Sequence, residues 1–191
     1  FEDMKQGNRE NLREKAGNFL ELFTVLSAGF VLLASEVYRY VYVSRDFWGS
    51  TMLIPIFVSS YYTNFLCTFP VNFEYYHKKT KVVSIITIVS SLINVGLNYL
   101  LILRIGMAGA AVATLISHSL QLTLHYLYVR FALGGKEYPF PLKMWVGYAA
   151  VFAAVAVASV AADGLWLARW GLGAAVGLWE LLRIRKRKVL I

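Results

Sequence analysis

Six stretches of this chain, residues 20–43, 50–70, 82–103, 107–129, 144–162 and 165–182, are apolar over lengths that suit a bilayer crossing, for which a helix needs about 20 residues. Runs such as "VSIITIVSSLINVGLNYLLIL" and "WVGYAAVFAAVAVASVAA" lack the polar stripe that a helix on a soluble core would carry. The chain is 58% hydrophobic and 16% charged, with a mean hydropathy of +0.56; soluble domains carry about 25% charged residues. Hydrocarbon offers backbone groups no partner, so each crossing segment has to satisfy its own N–H and C=O groups. The fold expected is therefore all-α, a polytopic transmembrane bundle of about six spans. Glu36 and Arg39 interrupt the first stretch, and Arg169 and Glu180 the last.

The formal net charge is +8, but the cations fall between the apolar stretches or at the C-terminus rather than along one face. That pattern fits membrane topology and anionic-lipid contact, not nucleic acid. Lys5, Arg9, Arg13 and Lys15 share one side with Lys78, Lys79, Lys81, Arg130, Lys136 and Lys143, and with the tail Arg183, Arg185, Lys186, Arg187 and Lys188. The other side holds Arg45, Arg104 and Arg169. The positive-inside rule then makes 1–19 a cytoplasmic segment, 131–143 a cytoplasmic loop and 183–191 a basic cytoplasmic tail. Four helices lie within 20–130 and two more within 144–182. Twelve tyrosines and five tryptophans suit two membrane–water interfaces.

Cys67 is the single cysteine, so neither an internal disulfide nor a thiolate metal cluster is expected. No H-E-x-x-H, G-x-S-x-G or phosphate-loop pattern occurs, so neither catalysis, a metal nor a cofactor is expected. The chain opens on Phe1 without a basic start leading into an apolar stretch, which excludes a signal peptide there and suggests part of something longer.

Polar and small residues within the apolar stretches are the candidate functional positions. Asn94 and Asn98, four apart, share one helix face, where they either join helices or line a substrate path. After a turn at Arg104 and Gly106, the small residues Gly109, Ala110, Ala113 and Ser117 recur at three- and four-residue spacing. They form a strip for close helix approach, so Gly109→Leu is expected to disrupt packing and Gly109→Ala to be mild. His118 extends the polar series; for both His118 and His125 a packing role is the simpler reading. Glu36 and Arg39, three apart near the outer end of the first span, are placed to pair. Pro55 interrupts the second span and is a candidate hinge. Tyr75, Tyr76, Lys78 and Lys79 form a candidate cytoplasmic mouth, where lipid anchoring and phosphate binding explain the residues equally well.

Residues 73–130, "FEYYHKKTKVVSIITIVSSLINVGLNYLLILRIGMAGAAVATLISHSLQLTLHYLYVR", resemble the C-terminal half of bacterial polysaccharide flippases, relatives of the multidrug and toxin extrusion and lipid II flippase families. The resemblance rests on Tyr76, Lys78-Lys79-Thr80, Asn94 and Asn98, Gly106, and Gly109-Ala110-Ala111 with Ala113-Thr114. Residues 35–62 add Glu36, Phe47, Trp48, Ile54 and Pro55. Ser35 and Leu103-Arg104 stand where the family commonly has proline. The resemblance implies the second lobe of a two-lobed exporter plus two further helices, in the bacterial cytoplasmic membrane, flipping undecaprenyl-diphosphate-linked oligosaccharide for surface polysaccharide. The implied partners are that lipid-linked oligosaccharide, the first lobe missing from this sequence, and a polysaccharide polymerase. Such a part is not expected to transport alone. An ion-coupled multidrug exporter of the same superfold and a non-transporting membrane scaffold stay open beside it.

The orientation is testable by cysteine labelling at Ser44 and Lys79 with Cys67 replaced. A membrane-impermeant reagent added outside intact cells should reach position 44 and spare 79; the reverse result would invert the topology.

Overall fold

The structure, a computed structural model, describes residues 4, 7–41, 50–134, 138–161 and 165–187, leaving aside the side chains of 39–41, 181 and 183–187. Among them the secondary structure is helical: α1 (Arg9–Val41), α2 (Ile54–Tyr76), α3 (Thr80–Ile105), α4 (Met107–Phe131), α5 (Leu142–Ala161) and α6 (Trp166–Arg187). By length and composition five of these can cross a membrane, namely α1 to α5. The sixth forms as expected from residues 165–182, but Arg169, Glu180 and Arg183 make it less apolar than the others. The helix starting near residue 20 begins instead at Arg9, and the second runs past residue 70 to Tyr76.

Exposure confirms the environment these helices are built for. In α1, Phe19, Leu26 and Phe30 are 65%, 62% and 60% exposed, while Glu21, Thr24, Ser27, Ser35 and Glu36 are buried. In α6, Leu167, Trp170, Leu178 and Trp179 face outward, while Arg169 and Glu180 are buried. Water would reverse that arrangement, because it solvates polar groups and expels apolar ones. Lipid favours it.

The chain divides into two compact units, Phe1–Arg13 with Ser59–Pro141, and Glu14–Val58 with Leu142–Ile191. In the first, α2 buries Leu66, Cys67, Pro70, Phe73 and Glu74, which recur at three- and four-residue spacing. Phe73 and Phe69 meet Tyr138 and Phe140 of the segment after α4, each at a centroid distance of 5.2 Å. Arg13 Nε donates to the Pro139 carbonyl at 2.6 Å.

Two turns set the helices of this unit. At the end of α2, Lys78 N–H donates to the Tyr75 carbonyl at 3.0 Å and Lys79 N–H to the Glu74 carbonyl at 2.9 Å. This bond pair closes a Schellman motif, with Lys78 at φ 57° in the place glycine usually takes. Gly106 alone joins α3 to α4; its φ of 62° and ψ of −141° belong to glycine. Its N–H donates to Ile102 O and its carbonyl accepts from Gly109 N–H, both at 2.9 Å. The turn therefore closes without a proline at 103–104.

Pro55 stands in the first turn of α2, where proline is tolerated, directly after a 3-10 turn at 50–53. The interior proline is Pro70, which removes one bond of the ladder where α2 continues.

The small strip of α4 brings it against α3. Gly109, Ala111, Ala113 and Ser117 are buried, with Ala110 half-buried. A Cβ on Gly109 would collide with the Leu101 carbonyl and come within 2.7 Å of the Ile102 nitrogen. Both obstacles are backbone and cannot rotate away, so the mild effect expected of Gly109→Ala is corrected: alanine already forces the helices apart. Gly109→Ala should cost about 1–3 kcal/mol, and Gly109→Leu more. Reversible unfolding in mixed micelles measures this; an alanine variant as stable as the parent would refute the close contact.

Candidate functional site

Three polar constellations are built into the apolar helices. The first is a seam between α3 and α4. Asn98 Nδ2 donates to Asn94 Oδ1 at 2.9 Å, Asn94 Nδ2 to Ser117 Oγ at 3.2 Å, and Ser117 Oγ to the Ala113 carbonyl at 2.8 Å. The four-residue spacing that places the amides on one face also lets them bond each other. Both asparagines remain half-buried, near the middle of α3.

His118 does not join this seam. One residue along a helix turns the side chain by about 100°, and its Nδ1 meets the Ser60 carbonyl of α2 at 2.9 Å. A carbonyl only accepts, so Nδ1 carries the proton. The Tyr61 ring lies 6.3 Å away, centroid to centroid.

The second constellation joins α2 to α4. His125 Nδ1 lies 2.9 Å from both carboxylate oxygens of Glu74, with both side chains fully buried. Reasoning from the sequence missed Glu74 by ending the second span at residue 70. The signal was present: continuing the buried register of Leu66, Cys67, Pro70 and Phe73 lands on Glu74. For His125 no cluster able to hold a metal occurs among the described residues.

The third lies in the second unit. Arg169 Nη1 pairs with Glu36 Oε1 at 2.9 Å, with side chains 2% and 6% exposed, and Arg169 Nη2 donates to the Val31 carbonyl at 3.4 Å. The sequence placed Glu36 beside Arg39 and Arg169 among the outer charges. The structure gives Glu36 to Arg169, which is interior, because α6 presents that side chain to α1. The side chain of Arg39 lies outside the described residues.

The candidate mouth is less convergent. Tyr75, Lys78 and Lys79 are exposed, while Tyr76 is half-buried with its hydroxyl donating to the Met4 carbonyl at 3.4 Å. Beside Tyr76, Arg9, Leu12, Phe73, His77 and Pro139 line a cavity of about 130 Å³. Burial first, then the neighbouring Tyr126, Cys67 and Glu74, pushes the pKa of the Tyr138 hydroxyl up, so it stays protonated.

Inward polar groups, outward apolar faces and five helices of membrane-spanning length define a multi-pass, all-α membrane protein. Compared with protein-family profiles, curated proteins and solved structures, the chain matches none.

The Glu36–Arg169 pair carries a direct test. Removing one partner leaves a buried uncompensated charge, which costs about 3–5 kcal/mol, whereas replacing both with apolar residues is near neutral. Glu36→Leu and Arg169→Leu should each destabilise strongly and the double variant should recover most of the loss. Additive losses in a double-mutant cycle would show that the pair is not coupled.

Proposed function

We propose that this chain works in a carrier that flips undecaprenyl-diphosphate-linked oligosaccharide across the bacterial cytoplasmic membrane for surface polysaccharide synthesis, with both termini cytoplasmic. The family resemblance of residues 73–130 supplies the substrate class. The observation that carries the reading is the Asn98–Asn94–Ser117 seam: mid-helix amides, bonded across two helices yet only half-buried. An amide meeting hydrocarbon on its open side is unfavourable, so a polar occupant or a further protein surface belongs there. Sugar hydroxyls fit such a seam, because amides both donate and accept. The exposed Lys78 and Lys79 suit the diphosphate at the cytoplasmic side, where anionic lipids compete for the same charge. On this reading the protein moves its substrate without altering it, and a polymerase uses the product on the other face.

The two amides differ in their bonding, Asn94 reaching Ser117 on α4 and Asn98 only Asn94. Asn94 holds the helices together through Ser117, so Asn94→Leu should lower stability by up to about 1 kcal/mol. Asn98 is the outer member, so Asn98→Leu should reduce export while membrane abundance stays near normal. Surface polysaccharide and membrane abundance, measured in cells whose own gene carries each allele, separate the outcomes. Parallel loss of both quantities in both variants would reduce the seam to helix packing.

A further inference from the structure

Glu74 and His125 are buried, ionisable and unused by the reading above. Nδ1 of His125 faces both Glu74 oxygens at 2.9 Å, which leaves Nε2 as the site where the pair can change. That nitrogen is buried and meets no hydrogen-bond partner among the described residues. With Nε2 bare, the pair is a carboxylate bonded to a neutral imidazole and carries one net negative charge in an apolar interior. With Nε2 protonated, the pair is neutral overall but leaves a buried N–H without an acceptor. Each state has one unfavourable feature, so neither is fixed by the fold, and the two differ by a single proton.

We propose that Glu74 and His125 form a proton-binding site through which the carrier couples export to proton movement; this rests on the carrier reading of the preceding subsection. A proton from water adds to the Nε2 lone pair and later returns to water, and no other bond changes. An alkali cation is the poorer occupant, because it needs several oxygen ligands and both Glu74 oxygens already face Nδ1.

The surroundings fit this role. Among the described residues, Cys67 on α2 and Tyr138 from the segment after α4 both feel the Glu74 carboxylate, with Tyr126 beside Tyr138. Tyr138 stays protonated, so it adds no charge. Of the nearby cations, Arg13, Lys78, Lys79 and Arg130 are exposed, where solvent and lipid phosphates screen them. The carbonyl of Glu74 accepts from Lys79 N–H in the turn between α2 and α3. The pair therefore stands one turn from the basic end of α2, beside the turn that joins two helices.

The test uses the whole chain in lipid nanodiscs with ¹⁵N-labelled histidine. Only three histidines are present; His77→Gln and His118→Gln variants assign their own signals and leave His125. Between about pH 5 and 9, the span in which histidine charge changes in proteins, His125 Nε2 should pass from its protonated to its bare form as pH rises. Glu74→Gln should weaken proton binding at His125 at least tenfold, because the carboxylate that balances the imidazolium is gone. In cells, the Glu74→Gln allele should lose surface polysaccharide at normal membrane abundance. The first arm reads protein that keeps Glu74, so a Glu74→Gln protein that fails to fold leaves it intact. A His125 signal that stays fixed across the range in folded parent protein would overturn the site. Titration with undiminished export in Glu74→Gln would overturn the coupling. If deleting the gene left polysaccharide unchanged, the carrier reading would fail while the titration still decided the site.

Discussion

A polar side chain held in hydrocarbon has only protein groups to bond, on its own helix or on a neighbour, and the rest of this structure depends on that limitation. Four polar groups find a partner on a different element: Asn94 meets Ser117, His118 the Ser60 carbonyl, His125 Glu74, and Glu36 Arg169, whereas hydroxyls such as Thr24, Thr114 and Ser159 bond carbonyls of their own helix. Between these points the contacts are apolar and lipid competes for them on nearly equal terms. The polar bonds therefore decide which helices meet and in what register, while close packing sets how near they come. Gly109 does the latter, admitting the Leu101 backbone where any side chain would exclude it.

The two kinds of polar contact differ in what they permit. Neutral pairs such as Asn94–Ser117 are fixed joints, since neither partner titrates in the accessible range. The ionisable pairs are different, because their stability depends on a charge balance as well as a distance. Glu36 and Arg169 balance each other and need nothing further to be neutral. Glu74 and His125 are balanced only when the imidazole carries its second proton. That asymmetry, between one self-sufficient pair and one that needs a proton, distinguishes a structural bond from a candidate working part.

The turns carry a related lesson about residue choice. Gly106 does the work of a connection in one residue because it can take a backbone conformation barred to others. Lys78 occupies the position where glycine is usual, so a cation stands at the basic side of the membrane and the Schellman bonds are kept. The exposed lysine keeps its charge solvated there, which offsets part of the conformational cost.

The sequence by itself determined that helices form and that they cross a bilayer, because hydrocarbon rules out the alternatives and the apolar runs have the needed length. It also determined the shared face of Asn94 and Asn98, since helical periodicity is a local property, and the turn at Gly106. The tertiary structure decided the partners. Glu36 was legible as a polar group at depth, but its pairing with Arg169 is separated by more than half the chain, and nothing local distinguishes it from pairing with Arg39. Glu74 was hidden for another reason: a carboxylate beside tyrosines and lysines reads as an interfacial loop until the helix is seen to continue through it, with His125 waiting on the facing helix. Pairing across helices is set by the rotation and depth of two separate elements, and those quantities exist only once the helices have packed.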